Sequence, residues 1–323
     1  MAGGPTGPAL VVAAARAGAL PFLAAGNKTP TAVQAEIDAA FGVNVFVPGR
    51  PTEEAAAPAA YLGSFAADSA GLGAELGAAE WDDDGFDDKL ERLLADPPPI
   101  VSFTFGCPTA DAVRAFQSKG VVVVITVTTP DEAVSALRTG ADSLGLQGSE
   151  AGGHQGAFAN GDGADRDYAL LDLLSRVQGQ TDVPLIAAGG IAGPDEVATV
   201  LAAGAVAAQA GTAFLRCAES GANPAYRRAL ADRRFISTAI TRAFSGRRAR
   251  GLVNQFMREH EEAPEAYQEI NNATRPLRAA AAASGDPDRM SLYAGVNFRR
   301  AEAHPAGEIV AQLAGGVGGG PEV

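Results

Sequence analysis

The chain is poor in the residues that usually bind metals. Its 323 residues include only two cysteines, Cys107 and Cys217, and three histidines, His154, His260 and His304. The cysteines lie far apart, and no CxxC pair or Cys/His cluster occurs, so we expect no metal site. Such sparse cysteine usage fits a reducing compartment.

Positive charge is also scarce. The formal net charge is −13, with 25 Lys and Arg against 38 Asp and Glu. A nucleic-acid partner is therefore not expected, because a basic face supplies most of the affinity for nucleic acids. A local basic group inside a cleft could still bind a small anion. Since 47% of the residues are hydrophobic and 20% charged, the chain can build a sizeable core.

The apolar start of the chain lacks the features of a targeting segment. No basic region precedes it, and Arg16, Pro21 and several glycines interrupt it. We read neither a signal peptide nor a membrane span, and therefore expect a cytoplasmic protein without a membrane partner.

Short apolar strands alternate with helices over the first two thirds of the chain. Helices are predicted at Pro8–Ala17, Pro30–Phe41, Phe86–Ala95, Thr109–Lys119, Pro130–Thr139, Asp165–Gln178 and Pro194–Ala203. Strands are predicted at Leu20–Ala24, Val43–Val47, Ile100–Phe105, Val121–Thr126, Ser143–Gln147, Pro184–Ala188 and Val206–Ala210. This βα alternation predicts an α/β fold with a parallel sheet. A (β/α)8 TIM barrel needs eight strands, so the first strand is apparently missing or truncated.

The alternation stops after Arg216. Helices are predicted at Pro224–Asp232, Arg247–His260 and Glu265–Ser284, in a segment rich in arginine. We therefore expect residues 217–285 to form a helical lid, and residues 1–216 plus 286–323 to form the barrel. Residues 49–80 look like an insertion with one short helix.

One glycine-rich loop stands out after the Ser143–Gln147 strand. It contains Gly152 and Gly153, followed at once by His154. Glycines let a backbone adopt positive φ and approach a flat ligand closely. A neutral imidazole among them could act as a base near neutral pH, although a lone histidine is often structural.

Two further glycine turns follow the last two predicted strands. Gly189 and Gly190 come directly after one of them, and Gly211 and Thr212 follow Gln209 at the end of the other. In barrels, the loops at these two positions commonly bind phosphate. The pattern favours a phosphate-bearing ligand, with tight helix packing as the alternative reason for the glycines.

The segment QGSEAGGHQG resembles the QGxEAGGHxG signature of the nitronate monooxygenases. The similarity extends over nearly the whole chain, in the order of the family. The matching segments are LPFLAAGNKTP, FGVNVFVP, IVSFTFGCP, PLIAAGGI, QAGTAFL and TRAFSGRRARG. The resemblance implies an FMN-dependent enzyme that oxidises alkyl nitronates, and possibly nitroalkanes, with O2 to carbonyl compounds and nitrite.

The resemblance also implies roles for individual residues. His154 would be the base, the two turns after the last strands would hold the FMN phosphate, and the amides of Asn44 and Gln147 would contact the flavin ring. Lys28 could stabilise an anion, and Tyr293 could line the pocket in a segment that departs from the family pattern. The full set of cofactor-binding candidates is Asn44, Gln147, Gly152, Gly153, Gly189, Gly190, Gln209, Gly211 and Thr212.

Several points stay open on sequence alone. Met1 to Gly4 match the first turn of the family, which approaches the flavin, but the strand that precedes this turn in the family has no match. We therefore expect that the true start codon lies upstream; the alternative is that the protein is compromised. The rival functions are an FMN-dependent enoyl-thioester reductase that uses NAD(P)H, and a catalytically inactive FMN-binding protein. A homodimer is possible.

Overall fold

The fold is built on two sheets of very different size. In the computed structural model, the described residues are 1, 3–36, 42–161 and 167–315. The strands are β1 Phe22–Ala24, β2 Gly42–Phe46, β3 Ile100–Thr104, β4 Val122–Val127, β5 Ser143–Gln147, β6 Gly153–His154, β7 Leu185–Ala188, β8 Ala207–Gln209, β9 Thr238–Thr241 and β10 Ala249–Leu252.

Helices connect and cover these strands. They are α1 Pro8–Arg16, α2 Pro30–Glu36, α3 Ala56–Gly63, α4 Ala66–Leu72, α5 Phe86–Ala95, α6 Ala110–Gln117, α7 Pro130–Arg138, α8 Leu170–Gln178, α9 Pro194–Ala202, α10 Pro224–Ala231, α11 Gln255–Glu259, α12 Glu269–Ser284 and α13 Ala306–Ala314. Short 3₁₀ turns lie at Thr212–Phe214 and Phe298–Arg300.

The larger sheet is parallel throughout and has the order β1-β2-β3-β4-β5-β7-β8. Its central strands are rich in Val, Ile, Leu and Phe and are buried on both faces, as expected when helices cover a parallel sheet. The seven predicted strands and the TIM-barrel-like α/β architecture are thereby confirmed. Because the strands are parallel, their carboxyl ends and the loops that follow them meet on one side.

Strands β1 and β8 form the two edges of this sheet. No strand precedes α1 within the described residues. Leu20 and Val206, just before the two edge strands, are 56% and 61% exposed. Burial of apolar side chains is thus incomplete at the point where a barrel would close.

The region after residue 216 corrects one prediction. The predicted helix Arg247–His260 is wrong, because β10 occupies its first part and only α11 is helical. Strand β10 pairs with β9 on one side and with β6 on the other. The hydrogen bonds to these two strands outweigh the local helical propensity of the segment. The strand also packs closely against the segment that contains Leu292, because a Cβ on Gly251 would lie 2.8 Å from the Leu292 carbonyl oxygen. The segment predicted as a helical lid therefore also contains a β-hairpin.

Two other helix starts differ from the prediction. Helix α8 begins at Leu170 rather than near Asp165, because the Glu150 carboxylate accepts the Leu170 N–H at the helix start. The end of the predicted Pro30–Phe41 helix and the start of the predicted Asp165–Gln178 helix lie outside the described residues, which omit 37–41 and 162–166. Residues 316–323, which belong to the predicted barrel segment, also lie outside the described residues. Helix α12 begins four residues later than predicted.

The insertion at residues 49–80 contains two helices instead of one. Both α3 and α4 pack against α12. Leu62 and Phe65 of the insertion join Phe244, Phe256 and Ile270 in one apolar cluster. The insertion thus packs with the region after residue 216.

Candidate active site

A row of polar side chains runs from the middle of β2 to the carboxyl ends of β3 and β4. Asn44 on β2 donates from Nδ2 to Ser102 Oγ at 2.8 Å and to Thr104 Oγ1 at 2.9 Å on β3. Thr104 Oγ1 lies 3.2 Å from Thr126 Oγ1 on β4. The row gives the carboxyl end of the sheet a floor of uncharged hydrogen-bonding groups.

Gln147, at the end of β5, organises the glycine loop that follows. Its Oε1 accepts the Gly156 N–H at 2.6 Å, and its Nε2 donates to the His154 carbonyl oxygen at 3.2 Å. Both ends of the amide therefore hold the loop backbone. Gly152 packs so closely that a Cβ would lie 2.3 Å from the Gly295 nitrogen, and Gly153 has a φ of +84° with open space around it.

His154 is half-buried and is held by two different contacts. Its backbone is part of β6, opposite Ala249 of β10. Its Nε2 lies 2.8 Å from Oγ of Ser245, in the turn between β9 and β10. Three aromatic rings surround the imidazole, and their centroids lie 5.1 to 6.2 Å from its own. They belong to Phe105, Tyr267 and Tyr293.

The electrostatic environment keeps His154 uncharged. Burial, and secondarily the charges of Arg247 and Arg278, lower the pKa of His154 to about 3. The Arg247 guanidinium stacks over the Phe105 ring with its Cζ 3.9 Å from the ring centroid. Burial lowers the pKa of Arg247 to about 10, so Arg247 stays cationic at neutral pH. The site combines a neutral imidazole with two positive charges.

Two phenols near the imidazole have unused hydrogen-bonding capacity. The buried hydroxyls of Tyr267 and Tyr293, and the buried Nε of Arg278, have no hydrogen-bond partner among the residues that the structure describes. Burial raises the pKa of both tyrosines, which keeps them protonated. Buried donors without partners are rare in folded proteins and suit a site that receives a ligand.

The two glycine turns lie at neighbouring strand ends, as predicted. Gly189 and Gly190 follow β7 with φ of +132° and +68°. A Cβ on Gly189 would lie 3.3 Å from the Gly148 carbonyl oxygen, and a Cβ on Gly190 would lie 3.3 Å from the Glu150 Cβ, both in the loop that follows β5. Gly211 and Thr212 follow β8, which pairs with β7, and the side chain of Gln209 is exposed at the sheet edge.

A segment near the end of the chain closes over these turns. Thr212 Oγ1 accepts the Gly295 N–H at 3.0 Å, and Asn297 Nδ2 donates to the Gly190 carbonyl oxygen at 2.6 Å. Tyr293 immediately precedes this segment and forms an isolated β-bridge with Gly251. At the other chain end, the Met1 side chain lies 3.5 Å from the Cβ position of Gly211, so Met1 is next to a predicted phosphate turn; Ala2 lies outside the described residues.

Lys28, the predicted source of positive charge, forms an ion pair with a carboxylate. Its Nζ lies 2.6 Å from Glu36 Oε2, an ion pair that neutralises it. The cations that act on His154 are Arg247 and Arg278, which the sequence patterns did not single out. Arg247 belongs to the TRAFSGRRARG segment that carries the family resemblance, but Arg278 lies in α12 with no local signal. Ser245 lies in the same TRAFSGRRARG segment as Arg247, and the sequence patterns did not single it out either.

A second cluster of ionisable residues lies away from His154. Asp68, Glu259 and His260 have ligand-type atoms within 4.8 Å of one another. Arg289 forms ion pairs with both carboxylates, and its Nη1 is 3.2 Å from Asp68 Oδ1. A guanidinium therefore already balances the charge that a metal cation would otherwise balance.

The parallel strand order and the cluster of side chains at the carboxyl ends of the strands are those of a TIM-barrel-like α/β enzyme. The family model described as nitronate monooxygenase matches residues 1–316. The chain is 35% identical to a probable nitronate monooxygenase of Bacillus subtilis strain 168 over 93% of this chain and 88% of the relative. It is 42% identical to a nitronate monooxygenase of Pseudomonas aeruginosa over 69% of this chain and 65% of the relative.

Solved structures agree with this assignment. The nitroalkane oxidase of Streptomyces ansochromogenes superposes with a TM-score of 0.94 and 46% identity, covering 98% of this chain and 93% of that one. FabK of Thermotoga maritima has a TM-score of 0.71 at 24% identity and covers 98% of this chain and 90% of that one, which shows a shared fold. The chain belongs to the nitronate monooxygenase family and is an oxidoreductase. Among the described residues, none of the helices has the length and apolar character of a membrane span.

Proposed function

We propose that this protein is an FMN-dependent nitronate monooxygenase, which oxidises alkyl nitronates with O2 to carbonyl compounds and nitrite. The observation that carries the proposal is the pairing of a neutral imidazole, His154, with the cations Arg247 and Arg278 at the carboxyl end of the sheet. A nitronate is a small anion that the two guanidinium groups would attract. Residues 217–285 would contribute to the substrate side of this site through Ser245, Arg247 and Tyr267.

The residues at the carboxyl end fit FMN. The positive φ of Gly189 and Gly190 and the close approach at their Cβ positions leave room only for backbone, as phosphate turns require. The polar row that begins at Asn44 offers uncharged groups to the edge of a flat ring. When bound, FMN would supply the electron acceptor that reacts with O2. Gln147 would act by holding the loop next to this ring.

The charges also distinguish two kinds of substrate. Removal of an α-proton by His154 from a neutral nitroalkane would create an imidazolium near Arg247 and Arg278, which repel it. The same two cations stabilise the nitronate that forms. A preformed nitronate needs no proton removal and benefits only from the attraction. We therefore expect the protein to accept nitronates more readily than neutral nitroalkanes.

The tyrosine hydroxyls without a hydrogen-bond partner among the described residues suit the same reaction. The hydroxyls of Tyr267 and Tyr293 remain protonated and can donate to the oxygens of a nitro or nitronate group. Such donors would orient the substrate carbon and stabilise the negative charge on the nitronate oxygens while the carbon is oxidised and its bond to nitrogen breaks. The aromatic rings of the same residues, with Phe105, would limit the access of water to the substrate.

The test is aerobic turnover by the purified, flavin-loaded protein. Nitrite and carbonyl product are measured with an alkyl nitronate, with the parent nitroalkane, and with NADPH plus an enoyl thioester. We expect nitrite from the nitronate without any need for NADPH. Thioester reduction would support the enoyl-thioester reductase, and bound FMN without turnover of any substrate would indicate a non-catalytic FMN-binding protein.

A further inference from the structure

Among the described residues, Ser245 is the one side chain that hydrogen-bonds to the His154 ring. It lies in the turn that joins β9 to β10 and is 1% exposed. Its Oγ is 2.8 Å from His154 Nε2. Because β10 pairs with β6, the hairpin that carries Ser245 also fixes the backbone of His154.

The hydrogen bonds of Ser245 determine where the imidazole carries its proton. A serine hydroxyl has one proton to donate and two lone pairs that accept. The hydroxyl of Ser245 donates to the Arg247 carbonyl oxygen at 3.2 Å and accepts the Arg247 N–H at 3.3 Å. With both of these bonds in place, the remaining lone pair accepts a hydrogen bond from His154 Nε2.

The opposite arrangement is less favourable. If Ser245 donated to His154 Nε2 instead, the carbonyl oxygen of Arg247 would lose its only donor among the described residues. Arg247 is buried, and leaving a buried backbone carbonyl without a partner costs about 1 kcal/mol or more. The local hydrogen bonding therefore favours the tautomer with its proton on Nε2.

The lone pair of the ring is then on Nδ1, which makes no hydrogen bond to a described residue. We propose that Ser245 is a positioning residue that fixes this tautomer, so that Nδ1 is the atom that takes the α-proton. The inference rests on the proposed function, in which His154 is the base. In the step itself, the substrate C–H bond breaks, its proton goes to Nδ1, and its electron pair stays on the substrate as the nitronate.

Tyr293 completes the arrangement. Its buried hydroxyl makes no hydrogen bond of ordinary geometry to a described residue. The phenol is therefore free to donate to the nitro group while Ser245 holds the imidazole. The two hydroxyls have separate tasks, one on the base and the other on the substrate.

The first test observes the tautomer directly and needs no turnover. Long-range ¹H–¹⁵N correlation spectra of the flavin-loaded protein with ¹⁵N-labelled histidine will show three rings, and His154→Asn identifies the signals of His154. We expect a protonated Nε2 and an unprotonated Nδ1 at pH 7, and a mixture of tautomers in Ser245→Ala. A proton on Nδ1 in the unmodified protein would overturn the proposal.

The second test separates positioning from a merely structural role. Ser245→Ala should lower kcat for a neutral nitroalkane about tenfold, the worth of one hydrogen bond, and change kcat for the preformed nitronate by less than about twofold. Ser245→Thr, which keeps the hydroxyl, should restore most of the loss. Ser143→Ala is the matched control, because Ser143 is also buried and donates to a backbone carbonyl, but at the amino end of β5.

Equal losses on both substrates in Ser245→Ala would refute the positioning role. The proposed function fails by a different result. If His154→Asn turns over neutral nitroalkanes as fast as the unmodified protein, His154 is not the base, whatever tautomer the spectra show.

Discussion

His154 and Ala249 face each other as partners in an antiparallel pair, although 95 positions separate them in the chain. This pairing attaches the glycine loop of the barrel to the hairpin that follows residue 216. The same hairpin carries Ser245 and Arg247 to the imidazole. The residues around His154 thus come from the glycine loop and from this hairpin, and the predicted chemistry depends on the contact between the two.

Removing the imidazole tests the role of His154. His154→Asn should lower kcat/KM for a neutral nitroalkane by about 100-fold or more, because positioned bases contribute factors of this size. Flavin content should not change, since the contacts of Gln147 are to the backbone of residue 154. His304→Asn is the control, because His304 is 44% exposed and paired with two surface carboxylates. The readout is nitrite release; unchanged activity of His154→Asn would remove His154 from the mechanism.

The lowered pKa of His154 predicts a specific loss of stability in acid. In the unfolded chain the His154 imidazole takes up a proton near pH 6.5, whereas in the folded chain it stays neutral down to about pH 3. As the pH falls below 6.5, the unfolded state gains the proton alone, so the free energy of unfolding decreases by up to about 1.4 kcal/mol per pH unit.

Urea denaturation at pH 6.5 and pH 4.5 measures this effect. His154→Asn should lose less stability between these pH values than the unmodified protein. Identical losses in the two proteins would show that the histidine is not held neutral by the fold.

Arg278 should matter for the anion more than for the fold. Arg278→Met should reduce kcat/KM for a nitronate about tenfold, because a positive charge close to the anion is lost. The control is Arg275→Met, an exposed arginine on the same helix that donates to Asn272. If both variants lose activity equally, helix α12 contributes structure and not charge to the site.

The turn after β7 should be intolerant of a side chain. Gly190→Ala places a Cβ at a φ of +68° and 3.3 Å from the Glu150 Cβ. We expect a loss of about 1 to 2 kcal/mol in stability and FMN affinity reduced at least tenfold. Gly179→Ala is the matched control, because Gly179 has a negative φ and open space around its Cβ position. FMN affinity equal to that of the unmodified protein in Gly190→Ala would argue against a phosphate site in this turn.

The parallel barrel strands were predictable because each is a short apolar run between turn residues. Ser143–Gln147 and Phe86–Ala95 have the predicted ends, and Thr109 caps its helix as expected from its side chain. The prediction of Arg247–His260 as a helix failed because β10 exists only through its partners β6 and β9. Local propensity contains no information about partners so distant in the chain.

The candidate site was predictable only where it follows strand ends. His154 and the two glycine turns carry local signatures, and the structure brings them to the same side of the sheet. Arg247, Arg278 and Ser245 reach His154 across about 90 residues or more of sequence, and no spacing rule connects them. For the same reason Lys28 was a reasonable candidate on sequence, whereas its ion pair with Glu36 became visible only in the fold.

The most direct test of the central claim is the visible absorption of the purified protein during anaerobic additions. The account predicts a flavin spectrum that is bleached by an alkyl nitronate and is unaffected by NADPH, with FMN identified by mass after release. Rapid bleaching by NADPH, with no response to the nitronate, would contradict it.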